Sequence, residues 1–219
     1  MGSLLRRRYQ LPTLALNAVA PGEITPEPPI LEHVGMPPYL GSPLCDDLGA
    51  LLRIARATQP RLVIELGTAY GNVAANICRQ CPEATVYTVN ALPAEQTGAI
   101  VTHELGAEEI GTVYRAAGFE SRVVQIYANT LDLDLSPHLP SCSAGLAIID
   151  ACHDTRYVLN DFHKVRPFVR RGGVVLFHDT HPSLEEHLVG SYIACMLLRR
   201  QGFDIRHLAD TWWGVWQAP

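Results

Sequence analysis

The sequence predicts an α/β fold, a doubly wound and mostly parallel sheet with an antiparallel closing strand. Apolar runs rich in Val, Ile and Leu recur at residues 61–66, 85–89, 122–127, 145–150 and 173–178. Their unbroken apolar character is that of strands buried on both faces. Helical spacing fills the intervals, at about 71–80, 98–118, 155–168 and 184–201. A hydrophobic content of 47% in 219 residues supports one sizeable core, so a single domain over 44–219 is expected.

Residues 1–43 are proline-rich (Pro21, Pro26, Pro28, Pro29, Pro37, Pro38, Pro43) and lack sustained periodicity, which reads as an N-terminal arm or lid. Ser42-Pro43 then offers a helix cap and a first-turn proline, and Asp46 and Asp47 suit the positive end of a helix. Leu48, Leu51, Leu52 and Ala55 give that helix, about 43–57, its buried stripe. The helix after the first strand stops before Pro82. Beyond the last helix, Phe203–Leu208 and Trp212–Trp216 read as two closing strands turning at Ala209-Asp210, with an antiparallel pair among them.

A net charge of −5 and a pI near 6.0 give no basic footprint for nucleic acid or an anionic membrane. No apolar run approaches the roughly 20 residues of a membrane-spanning helix. The six cysteines (45, 78, 81, 142, 152 and 195) are scattered, which suits a reducing, cytoplasmic setting. Cys78-x-x-Cys81 has no second pair with which to bind zinc. The basic start at Arg6-Arg7-Arg8 resembles a secretory signal only loosely, because the apolar stretch beside it is short and broken by Pro12 and Asn17. A proline-rich arm could exchange between subunits, so a homo-oligomer stays open.

The most informative run is Leu62-Val63-Ile64-Glu65-Leu66-Gly67-Thr68-Ala69-Tyr70-Gly71. A strand ends in an acid, turns through two glycines and enters a helix. Its spacing, E-x-G-x-x-x-G, differs from the G-x-G-x-x-G that crowds backbone N–H groups onto a pyrophosphate. It suits a ligand without phosphates, such as S-adenosylmethionine (SAM), which combines a sulfonium, an amino-acid tail and an adenosine. Glu65 is placed to accept the ammonium of such a ligand or to tie the N–H groups of its own turn. Gly67 and Gly71 allow close backbone approach, and Thr68, Ala69 and Tyr70 supply backbone contacts. Asn90, Asn129 and Asp150, at the ends of the second, third and fourth strands, are expected among the cofactor contacts, Asn90 where an acid usually grips the ribose hydroxyls.

The fourth strand runs out into Asp150-Ala151-Cys152-His153-Asp154 and the fifth into His178-Asp179-Thr180-His181. Carboxylates on neighbouring strand ends with imidazoles beside them suit a divalent cation held by Asp150, His178 and Asp179. His153 could instead take a proton from a substrate hydroxyl. In the plainer reading Asp154 and Asp179 cap helices and the histidines are merely solvated. Trp212, Trp213 and Trp216 read as packing of the last strand pair, with one available to line an apolar pocket. Lys164, Arg166, Arg170 and Arg171 read as the solvated face and end of a helix, and Cys152 lacks an identifiable oxyanion hole.

The Glu65–Gly71 loop resembles motif I of class I SAM-dependent methyltransferases. Residues 149–161 and 172–179 are similar to the fourth and fifth strand regions of one branch of that class. The branch includes small bacterial O-methyltransferases, macrolide-sugar methyltransferases and cephalosporin-hydroxylase-like proteins, and is distantly similar to catechol O-methyltransferase. The resemblance covers about residues 45–219 and implies a Rossmann-like domain. It also implies that Asp150 and Asp179 hold a magnesium ion orienting the acceptor hydroxyls, with His153 as general base. Metal-dependent members often carry an acid just before the second aspartate, where this chain has His178. That leaves open a softer ion such as manganese, or no metal.

The expected function is transfer of a methyl group from SAM to a hydroxyl of a small molecule such as a sugar, a phenol or a natural product. Two rivals are a nicotinamide-dependent oxidoreductase and a non-catalytic SAM-binding partner subunit. The missing third glycine and the absent acid after strand two argue against the first. Retention of Asp150 and His153 argues against the second.

Overall fold

The five apolar runs form five adjacent strands of one eight-stranded sheet in the computed structural model, which describes residues 10–30, 47–95, 104–180 and 189–219. The elements are β1 (Thr13–Leu14), α1 (Leu16–Val19), α2 (Asp47–Thr58), β2 (Leu62–Leu66), α3 (Asn72–Gln80), β3 (Thr85–Asn90) and α4 (Thr112–Ala116). They continue as β4 (Val123–Tyr127), β5 (Ala144–Ile149), α5 (Thr155–Val165), β6 (Val169–Phe177), α6 (Val189–Arg200), β7 (Arg206–Leu208) and β8 (Gly214–Gln217). The strand order is β1-β7-β8-β6-β5-β2-β3-β4. From β6 to β4 every pairing is parallel, and β8 runs antiparallel to both β6 and β7 as the expected closing strand.

Side chains alternate across the strands, so each face builds its own core. Ile64, Leu66, Ile149 and Phe177 pack with Phe162 of α5 and Leu198 of α6. Val63, Ile148 and Leu176 pack with Leu51 and Ile54 of α2 and Ile77 of α3. Each such fully buried side chain contributes roughly 1.5–3 kcal/mol. The chain leaves β2 toward β3 and β4, then returns to the other side of β2 for β5 and β6. That reversal opens a crevice beyond the carboxyl ends of β2 and β5, where open α/β sheets bind ligands.

Residues 10–30, expected as part of an arm, add the edge strand β1, parallel to β7, and then cross α2 and α3. The Arg53 guanidinium on α2 donates to Asn17 Oδ1 and to the carbonyls of Ala20 and Gly22. On α3, Asn76 and Gln80 are fully buried one turn apart. Gln80 accepts the Glu27 N–H (2.7 Å) and donates to its carbonyl (2.8 Å). Asn76 does the same for Ile30, at 2.8 and 3.0 Å. Residues 31–43, the helix start at Ser42-Pro43 with Asp46, Cys45, the basic start and His181 lie outside the described residues.

Two other expectations change. Of the helix expected over 98–118, residues 104–111 are turns, and α4 holds only Thr112–Ala116. Gly111 stops the helix by taking a left-handed conformation (φ 78), which points its N–H at Ala69 O (3.0 Å) and lets Val113 N–H reach Tyr70 O (2.9 Å). Arg170 and Arg171 belong to β6, which begins at Val169 and bulges before coming back into register at Val174 opposite Leu146. Lys164 is not merely solvated: its ammonium donates to the carbonyls of Leu131 and Leu133. None of the five described cysteines forms a disulfide, and no helix among the described residues is long and apolar enough to cross a membrane.

Candidate active site

β2 carries Glu65 into the sheet interior, on the face toward α3, and the chain then turns at Gly67 (φ 104). A Cβ on Gly67 would stand 2.1 Å from the Asp150 carbonyl oxygen, so this glycine lets the ends of β2 and β5 meet. Gly71 (φ 83) begins α3, and a Cβ there would meet Gly111 Cα at 2.8 Å and the Tyr114 ring at 2.6 Å. Between them Ala69 is held at φ 44, a conformation costing a non-glycine residue about 1 kcal/mol or more.

A chain of polar groups supports the loop from beneath. Tyr114 donates to Gln125 (3.3 Å) and the Gln125 amide donates to Thr68 Oγ1 (3.0 Å). The Thr68 and Thr88 hydroxyls are 2.7 Å apart, and Thr88 donates to Glu65 Oε2. Glu65 Oε1 has no hydrogen bond of good geometry among the described residues. Burial pushes the Glu65 carboxyl up to about 8, reinforced by the Asp150 charge, while Thr88 and the Ala74 N–H pull it down. A buried orphan acceptor costs about 1–3 kcal/mol, and an arriving cation would offset that cost.

Asn90 and Asn129 stand at their expected strand ends with their amides engaged by the protein itself, Asn129 also donating to the Tyr157 hydroxyl (3.3 Å). Asn90 Oδ1 accepts the Ala69 N–H (3.0 Å) and its Nδ2 donates to Ala91 O (3.0 Å). Asn129 donates to Glu95 O (2.9 Å) and accepts the Leu131 N–H (3.0 Å). Both order the loops around the crevice.

The ends of β5 and β6 bring Asp150, His153, His178 and Asp179 together, as the motifs predicted. Asp150 N–H bonds Leu66 O (2.8 Å) and His178 N–H bonds Ile149 O (3.0 Å), which ties the end of β5 to β2 and the end of β6 to β5. His178 Nδ1 lies 3.2 Å from both Asp150 Oδ1 and Asp179 Oδ1, and its Nε2 lies 3.4 Å from Asp47 Oδ2. Burial alone would lower the His178 pKa, but Asp150, Asp179 and Asp47 outweigh it and raise it well above the ordinary value. The other oxygen of Asp179 faces His153 Nδ1 at 3.2 Å, and Ser191 Oγ stands 3.5 Å from the same nitrogen. Asp179 holds φ 54, a left-handed backbone that aims its carboxylate between the two imidazoles.

Sequence reasoning missed Asp47. Read there as a helix-end acid, it is buried and bridges the site to the closing strands. Asp47 Oδ1 accepts the Trp212 N–H (2.6 Å) and its carbonyl accepts Trp213 Nε1 (2.9 Å). Trp213 packs against the His178 ring at 4.5 Å between centroids, tilted by 59°, whereas Trp216 packs against Phe162 in the core. Nothing in a single sequence places residue 47 beside residue 178.

These side chains do not fit a divalent cation. The oxygens expected as ligands, Asp150 Oδ1 and Asp179 Oδ1, both point at one ring nitrogen, and the remaining Asp179 oxygen serves a second imidazole. Among the described residues no three His, Cys, Asp or Glu side chains form a metal-holding group. Cys152 is buried with its thiol pushed up to about 11, which leaves it unreactive.

Comparison with known proteins agrees with the architecture. Solved structures of similar fold include cofactor-bound Rv0187 from MTB, at 22% identity and a TM-score of 0.55 over 75% of each chain. An O-methyltransferase from Bacillus cereus in complex with SAH shares 15% identity (TM-score 0.55, covering 76% of this chain and 77% of that one). TomG, an O-methyltransferase from Streptomyces achromogenes involved in tomaymycin synthesis and solved with SAM, shares 17% (TM-score 0.54, 77% and 78%). No curated protein matches the sequence. Residues 64–180, from within β2 to just beyond β6, match the family described as methyltransferase domain. The chain therefore belongs to the methyltransferase-domain family.

Proposed function

We propose that this protein is a SAM-dependent O-methyltransferase acting on a hydroxyl of a small molecule such as a sugar, a phenol or a natural product. The observation that carries the reading is the Asp179–His153 pair, placed one strand from the Gly67–Gly71 loop. SAM suits the residues present: a buried acid with an orphaned oxygen lies under a loop that glycines bring close to the strand ends. Bound SAM supplies an electrophilic methyl group on a sulfonium.

This chain's own residues supply the rest. Glu65 and the backbone of Gly67, Thr68, Ala69, Tyr70 and Gly71 hold the cofactor, with Asn90 and Asn129 fixing the loops around it. Asp150 stands at the mouth of the crevice between cofactor and acceptor. Asp179 on Nδ1 selects the His153 tautomer whose Nε2 keeps its lone pair, so Nε2 takes the proton of the acceptor hydroxyl. The imidazolium so formed is stabilised by the Asp179 charge 3.2 Å away. Alignment of oxygen and methyl carbon contributes most of the acceleration, which places the burden on the rigid strand ends. No step uses a metal, and family membership sets the oxidoreductase reading aside.

Calorimetric titration with SAM, its demethylated product and NAD tests the reading. SAM and its product are expected to bind and NAD not to bind. A folded sample that ignores SAM would sink the proposal.

A further inference from the structure

We infer that the His178 imidazole occupies the place of a divalent cation at this site, and that Asp47, Asp150 and Asp179 form a slot for that ring instead of a metal. The inference rests on the methyl-transfer reading of this strand edge, and three observations support it. Both ring nitrogens face carboxylate oxygens, Nδ1 toward Asp150 and Asp179 and Nε2 toward Asp47, at 3.2–3.4 Å. The ring itself therefore stands in the space between the carboxylates that an ion would need. The ring is also filled in from the side, by Trp213 at 4.5 Å between centroids, so it cannot swing away to admit an ion.

The third observation is Asp47. It comes from α2, not from a strand end, and its second oxygen and its carbonyl are committed to Trp212 and Trp213. It therefore closes the slot from the side opposite Asp150 and Asp179, and all three carboxylates converge on one ring. In this arrangement Asp150 and Asp179 are kept in place by the ring between them. The acceptor hydroxyl is then activated by the Asp179–His153 pair alone.

The test is a Mn2+ titration of the full chain, followed by the EPR signal of the free ion and by calorimetry, with a SAM titration on the same sample. The wild-type protein is expected to leave the Mn2+ signal undiminished while binding SAM. His178→Asp, which replaces the ring with a further oxygen donor, is expected to take up Mn2+ stoichiometrically. His178→Asn serves the same purpose if the aspartate variant does not fold. Stoichiometric Mn2+ uptake by the wild-type protein would overturn the inference. So would folded variants that bind no more Mn2+ than the wild type, because the imidazole would then not be what keeps the ion out. Loss of SAM binding by the wild type would count against the methyl-transfer reading only, since Mn2+ uptake is read separately.

Discussion

His153 derives its proposed chemistry from the group facing its Nδ1. An imidazole with a carboxylate on one nitrogen presents a basic lone pair on the other. His153→Ala is expected to lower the rate of methyl transfer to a hydroxylated acceptor by roughly 10²–10⁴-fold, with SAM affinity unchanged by calorimetry. Asp179→Asn should lower the rate as well, because an amide neither selects the tautomer nor stabilises the imidazolium. A His153→Ala enzyme as fast as its parent would remove the base from the mechanism. Glu65, Asp150, His153, His178 and Asp179 were legible in the sequence because each stands at or just beyond the end of an apolar strand, whereas Asp47, on α2, was not. Their pairings were not: no pattern in the chain says that Asp179 divides its oxygens between two histidines, or that the Asn90 and Asn129 amides serve the backbone.

At the scale of elements, the loop after β2 is a joint between strands as much as a ligand loop. Gly67→Ala would drive a methyl group into the Asp150 carbonyl and force a left-handed φ on alanine. Overpacking at about 1–3 kcal/mol and strain at about 1–2 kcal/mol sum to about 2–5 kcal/mol, with about 3 kcal/mol as a working value. That lowers the melting temperature of a domain this size by roughly 6–12 °C. Gly118→Ala shares the positive φ but meets nothing within 4 Å, so its melting temperature should drop by only about a third as much. Equal losses in thermal melts would refute the packing role of Gly67. The central strands were readable to within a few residues because continuous apolar runs have few alternatives. The two-residue strand β1 and the five-residue helix α4 were not, since each exists through partners distant in sequence: His207 and Leu208 for β1, Ala69 and Tyr70 for the turn into α4.

For the molecule as a whole, buried carboxyls set the response to pH. Glu65 is pushed from 4.5 up to about 8 and Asp161, on α5, from 3.8 up to about 7, in both cases mainly by burial. Between these limits the folded state holds protons that the unfolded chain has lost, so stability falls as pH rises from about 4.5 toward 8. The loss is on the order of a few kcal/mol, since each unit of displacement is worth about 1.4 kcal/mol. Thermal melts of the ligand-free protein should show a higher transition at pH 5.5 than at pH 8. Glu65→Gln should flatten that difference. A melting temperature that rises between those pH values would contradict the buried, protonated state of Glu65.

The bridge at Asp47 also bears on the order in which the protein comes into being. During synthesis the motif loop, both imidazoles and all three carboxylates of the cluster leave the ribosome before Trp212 and Trp213, which lie 165 residues or more beyond Asp47. β8, the strand inserted between β6 and β7, comes later still. A nascent chain stalled before residue 212 holds every proposed reactive group of the site, but lacks the ring that packs against His178 and the main-chain N–H that orients Asp47. Its three acids then face one another without the indole that keeps the imidazole between them. The cluster is thus completed only once Trp212 and Trp213 have been made, and a product clipped before residue 212 is expected to lose methyl transfer with its proposed catalytic residues intact.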